Sequence, residues 1–185
     1  MACIFDPDTV HAAGLKGVGL PLRQCFAAVI DALVERYPNR IDRTQPWLFN
    51  NAGGAMIEMK LLYCSNTEYL MLFGTPVGTG GHSGRHLAEF HDTILDGETW
   101  YFSAGELDRT VYKAGGRIFM SKGESIGFNV PDHVWGLEYA RGAMPLLLPF
   151  GMADSLFSTL DFRTVARTLL SYIDLTLKAR RRPAI

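Results

Sequence analysis

Cysteine is scarce: the 185-residue chain has three, Cys3, Cys25 and Cys64. Their number is odd, their spacing is wide and no two form a CxxC, so they build neither a disulfide framework nor a thiolate metal site. They read as buried or idle thiols in a reducing compartment. Long apolar runs are missing too. None reaches the about 18 residues of a membrane span, so no transmembrane segment is expected. The opening MACIFDPD is acidic and too poor in apolar residues for a signal peptide. A net charge of −1 provides no basic field for nucleic acid. There is no helix-turn-helix, zinc-finger or RNP pattern, no internal repeat and no low-complexity segment.

Hydrophobic residues make up 48% of the chain and charged residues 20%. That balance and length suit one globular domain with a proper core. Residues 20–37 read as a helix, with Leu22, Phe26, Val29, Ile30, Leu33, Val34 and Tyr37 at helical spacing. Pro21 suits its first turn and Pro38 ends it. From about residue 56 the rhythm changes. MIEMKLLY, EYLMLFGT, AEFHDTIL, ETWYFS, RTVYK, RIFMS, SIGFNV and HVWGLEYA are short β-rich runs separated by turn residues. They predict an all-β sandwich or barrel. Ile57, Met59 and Leu61 alternate with Glu58 and Lys60, as on a strand with one dry and one wet face. Past Arg141 the pattern is helical again. AMPLLLPFGMADSLF is apolar and broken by Pro145 and Pro149. STLD, Ser158 to Asp161, resembles a helix start. The helix after it carries Phe162, Val165, Leu169, Tyr172, Ile173 and Leu177 on one side and ends in Lys178, Arg180, Arg181 and Arg182. Two readings of that end stand: attachment to an anionic membrane surface, or a packed helix with cations at its carboxyl end.

VGTGGHSGRH looks like a phosphate loop but lacks the Lys-Ser/Thr pair. GHSGR misses G-x-S-x-G because Arg85 replaces Gly. The run reads as turn-forming. His82, His86, Glu89 and His91 are close enough in sequence to suggest zinc or iron. On a strand, however, His86 faces one side and Glu89 and His91 the other, so no metal site and no cofactor are expected.

The carboxylates inside apolar strands are more informative. Asp92 lies in AEFHDTIL and Glu138 in VWGLEYA. Charged side chains are rarely buried unless paired or functional. Both faces of the Glu138 strand are largely apolar, which argues for burial. The alternative is a rim carboxylate paired with Arg85 or Arg141. Spacing does not show whether Asp92 and Glu138 meet.

Around these residues the chain resembles the fungal sterol C8–C7 isomerase and sigma-1 receptor family. The matching text is WLFNNAGGAM, EYLMLFGTPVGTGGHSGRHLAEFHDTILDG, VWGLEYARG and LLPFGMADSLFSTLDF, within about residues 47–172. FDP near the start is similar to the region after the anchor of the fungal enzyme. The resemblance implies a fold that is mainly β with flanking helices: a cupin-like small β-barrel, one N-terminal helix and two C-terminal amphipathic helices that close the barrel and lie against a membrane. It implies a single domain over 1–185, with an N-terminal helical segment to about 45, the barrel over about 46–142 and a helical lid over about 143–182. It also implies a homotrimer.

In this family a Glu in the W-x-x-E-Y/L segment and an Asp after GH-S/T-G share the ligand cavity, and these match Glu138 and Asp92. A supporting tyrosine matches Tyr69. Apolar pocket positions carry over to Met59, Phe73, Phe90, Met144, Leu148 and Tyr172. No counterpart of the family's N-terminal anchor is expected within these 185 residues, a receptor pocket histidine is Met120, and the receptor's Trp after NAGG is Ala55. NNAGGAM and LLPFG-x-x-D stand closer to the isomerase. The implied activity is Δ8 to Δ7 isomerisation in sterol biosynthesis, a branch of lipid and steroid metabolism. The alternative is a non-catalytic, receptor-like binder of sterols or cationic amphiphiles. A sterol or other apolar small molecule is the expected ligand and cationic amphiphilic amines the expected inhibitors. A peripheral membrane location is expected, at the endoplasmic reticulum in a eukaryote.

Overall fold

The computed structural model describes residues 3–181, so Arg182 of the basic end lies outside the described residues. Two helices, α1 (Pro7–Leu15) and α2 (Leu22–Arg36), precede nine strands. These are β1 (Leu48–Ala52), β2 (Ala55–Cys64), β3 (Glu68–Thr75), β4 (Thr79–His82), β5 (Ala88–Phe102), β6 (Thr110–Lys113), β7 (Arg117–Met120), β8 (Gly127–Val130) and β9 (Val134–Gly142). A 3-10 turn at Met144–Leu147 leads into α3 (Leu148–Phe157) and α4 (Phe162–Arg181).

The strands form a nearly closed antiparallel barrel in the order β1-β2-β3-β9-β5-β8-β4, with β6 and β7 also paired to β5. The gap between β4 and the β1–β2 hairpin is bridged where the His82 N–H donates to the Gly53 carbonyl (2.9 Å). The mainly β fold with flanking helices is as expected, with one difference. Two N-terminal helices are present where one is expected. PDTVHAAGL is too short and too weakly amphipathic to register as a periodic segment. Local chemistry starts it instead: Pro7 opens the first turn and the Asp6 carboxylate accepts from the Thr9 N–H at 2.8 Å. For α4 the cap is Asp161, whose carboxylate accepts from the Thr164 N–H (3.0 Å).

β3, β9 and the second half of β2 are buried on both faces, while the first half of β2 keeps a wet side with Met56 exposed and Glu58 and Lys60 half-buried. Their outer side chains, among them Leu62, Leu70, Leu72 and Leu137, pack on Val10, Cys25, Val29 and Leu33 of α1 and α2. Cys25, Val29 and Leu33 recur every fourth residue, so one helix stripe covers the sheet. The inner side chains line a cavity. The C-terminal helices cover its open side. α4 buries Val165 and Leu175 and is tied down where Lys178 reaches Asp42 (2.7 Å) and where Gln45 donates to Asp174 (2.8 Å). α3 is held by Asp154, which accepts from the Gly54 N–H at 2.8 Å.

Candidate active site

The barrel encloses a cavity of about 240 Å³ whose lining is mostly apolar. Met59, Phe73, Phe90, Met144, Leu148, Tyr69 and Tyr172 all line it, as do Asp92 and Glu138. Gly136 makes room for one of them: a Cβ there would stand 2.4 Å from the Phe73 ring.

Asp92 and Glu138 are brought together by register. β5 and β9 are antiparallel, and Asp92 stands directly opposite Glu138 in the ladder. Directly opposed residues point to the same face with Cβ atoms about 5 Å apart. Among the described residues neither carboxylate is paired with a cation. Arg141 donates to Glu89 at 2.6 Å, and Arg85 donates to Gly123 and Ser125. The rim-pairing alternative therefore fails for both.

The two carboxyls differ in their surroundings. Asp92 is 7% exposed, and its Oδ1 has no hydrogen-bond partner among the described residues. Burial pushes its carboxyl well above the usual carboxylate range, and the facing Glu138 adds to the rise. Glu138 accepts a hydrogen bond at Oε1 from the Tyr69 hydroxyl. Burial raises Glu138 to about 7, while the Tyr69 hydrogen bond pulls the other way. Two facing carboxyls in this apolar wall do not both ionise easily, so the pair favours a state that keeps one proton between them. Tyr69 itself is raised well above its ordinary value by burial and by Glu138, so it stays a donor.

The histidine group does not converge. His86 lines the cavity, with Nε2 against the Ser83 carbonyl at 2.9 Å. His91 sits on the other face of β5, stacked on Tyr139 with ring centroids 5.9 Å apart. Glu89 is committed to Arg141. Among the described residues no three His, Cys, Asp or Glu side chains are placed to hold a metal ion. The glycine run is only partly a turn: TGGH is β4, paired to β8. Cys64 lines the cavity, its thiol pushed up to about 12 by burial.

The cavity also holds residues that the sequence patterns did not single out, notably Thr99, Tyr101, Ile118 and Phe150. Ala55 and Met120, the positions that depart from the receptor pattern, line it as well.

The family model described as ERG2 and Sigma1 receptor like protein matches residues 1–179. The chain is 40% identical over 170 residues to the C-8 sterol isomerase of Pyricularia oryzae, covering 89% of this chain and 77% of that protein. It is equally similar, 40% over 172 residues, to sigma non-opioid intracellular receptor 1 of Danio rerio, covering 92% and 78%. Among solved structures it is similar to an RmlC-like cupin from Shewanella frigidimarina, with TM-score 0.45 and 16% identity, over 54% of this chain and 86% of that one.

Proposed function

Since the chain belongs to the ERG2 and Sigma1 receptor-like family, we propose that it is a sterol C8–C7 isomerase, moving a Δ8 double bond to Δ7 in sterol biosynthesis. One observation carries this reading: two facing carboxyls with unlike environments in the wall of an apolar cavity.

The reaction adds a proton at C9 and removes one from C7, with a carbocation at C8 between. The pair begins with one proton and one charge. It delivers the proton to C9, and the electrons of the double bond form the new C–H bond. Glu138 faces the C8 cation, and a buried carboxylate stabilises it strongly where water is excluded. Uptake of the C7 proton by Glu138 forms the Δ7 bond and returns the pair to its starting charge. Glu138 is the principal proton-transfer residue and Asp92 holds the shared proton. A carboxyl near pH 7 is suited to both directions of transfer. Met59, Phe73, Phe90, Met144, Leu148 and Tyr172 hold the sterol by apolar contact.

A second reading is a non-catalytic, receptor-like binder. The equal identity to the Danio rerio receptor favours it, because an ammonium would take the place of the C8 cation. One experiment separates the two. Turnover of a Δ8-sterol in heavy water should give a Δ7 product carrying deuterium at C9. Tight binding of cationic amphiphiles with no product would favour the receptor-like reading. Full turnover by Glu138→Gln would overturn the role given to Glu138.

The same reading puts α4 on a membrane surface, at the endoplasmic reticulum in a eukaryote. Support comes from Phe162, Leu170, Ile173 and Leu177, which are exposed on one side of α4, with Arg163, Arg167, Arg180 and Arg181 also exposed. No helix of the described residues is long and apolar enough to cross a membrane.

A further inference from the structure

β5 changes phase in its middle. Before the change, Phe90 and Asp92 face the cavity. Against β9, Ile94 pairs with Gly136 but Asp96 pairs with Trp135, so Leu95 is one extra residue in β5. Such a bulge shifts the inward positions by one. Beyond it Thr99 and Tyr101 face the cavity. The strand also changes partners there, from β7 and β9 to β6 and β8. Asp92 and Tyr101 therefore line the cavity from different walls.

Three tyrosines line the cavity: Tyr69, Tyr101 and Tyr172. Tyr69 donates to Glu138 and Tyr172 to Asn66 (3.4 Å). The Tyr101 hydroxyl has no hydrogen-bond partner among the described residues. Its ring is fixed nonetheless, edge-on to Tyr112 at 5.4 Å and tilted on Phe128 at 6.2 Å between centroids. Burial, with Asp92 and Glu138, holds the phenol well above its ordinary value, so it is a neutral donor at any working pH. Polar groups sunk in apolar surroundings normally have a partner. Here the partner has to come from the cavity.

Resting on the isomerase reading, we infer that the Tyr101 hydroxyl hydrogen-bonds the ring-A hydroxyl of the sterol and fixes which way the nucleus lies over Asp92 and Glu138. The dimensions of the sterol set where such a group would stand. With carbon–carbon bonds of about 1.5 Å, the hydroxyl oxygen on C3 lies roughly 6 Å from C8 and C9. An anchor for it must stand away from the reacting carbons, in the same cavity and on another wall. Tyr101 does. It is a positioning residue, since it touches the substrate away from the carbons that react.

The test compares a Δ8-sterol bearing the C3 hydroxyl with its 3-deoxy analogue, on wild type and on Tyr101→Phe, which keeps the ring. The variant should lower kcat/KM for the hydroxysterol about fivefold, the worth of one net hydrogen bond. The 3-deoxy analogue should show no difference between the two proteins. Equal effects on both sterols, or no effect on either, would overturn the inference. If the wild type turns over neither sterol, the isomerase reading falls separately. Dissociation constants of the same four pairs then decide the anchor by the same difference.

Discussion

Replacing Glu138 by Gln removes a charge that the folded protein holds at a cost, and that cost depends on pH. In the unfolded chain Glu138 ionises at its ordinary value of 4.5, and in the folded protein at about 7. Between those values the folded protein keeps a proton that the unfolded chain releases. Stability therefore falls as pH rises from 4.5 to about 7, and levels off above it. The full loss at pH 8 is about 3 kcal/mol, while at pH 5 it is still under about 1 kcal/mol. Gln keeps the shape, can accept the Tyr69 hydrogen bond through its amide oxygen, and cannot ionise. Chemical denaturation at pH 5 and pH 8 should show the variant gaining about 2 kcal/mol more over wild type at the higher pH, or about 4–8 °C in Tm. Isomerase turnover should fall by about 100-fold or more, the usual contribution of a general acid–base group. Such a site would trade stability for chemistry. A variant that is less stable than wild type at pH 8, or whose gain is the same at both pH values, would refute the reasoning.

Two further outcomes follow from the same geometry. Tyr69→Phe removes the donor that opposes the rise of Glu138, so the carboxyl should ionise above pH 7. The acidic limb of the pH–rate profile should move by about one pH unit to the alkaline side; an unmoved limb would remove Tyr69 from the site's electrostatics. Leu170→Glu with Ile173→Glu places charge on the exposed apolar side of α4. Co-flotation with vesicles containing anionic lipid should drop severalfold while turnover of detergent-dispersed sterol persists; undiminished flotation would leave α4 without a membrane role.

Much of the barrel was legible because alternation and turn residues are local properties. EYLMLFGT coincides with β3, and MIEMKLLY lies within β2. Two strands escaped that reading. β1 lies in LFNNA, which lacks alternation. The signal that would have found it is the Gly53-Gly54 pair, a two-residue loop with both φ angles positive. β4 is TGGH, which has almost no side chains to carry a pattern and exists because β8 supplies its hydrogen bonds.

The carboxylates divide the same way. Apolar residues on either side of Asp92 and Glu138 argued for burial from the sequence alone, since chain neighbours fix which side chains share a face. That the two stand opposite one another is a matter of register between strands separated by about forty residues, and only pairing sets register. Family resemblance suggested their meeting, which residue patterns could not. Tyr101 lay beyond both. Read as a separate short strand, ETWYFS has no phase relative to Asp92. The extra residue at Leu95 and the change of strand partners turn Tyr101 into the cavity. The sequence by itself determined the β-rich middle, the helical ends and the presence of acids inside apolar strands, because these follow from spacing along the chain. The tertiary structure alone decided which acids face each other and which hydroxyl faces them, because a one-residue slip in a strand reverses every side chain after it.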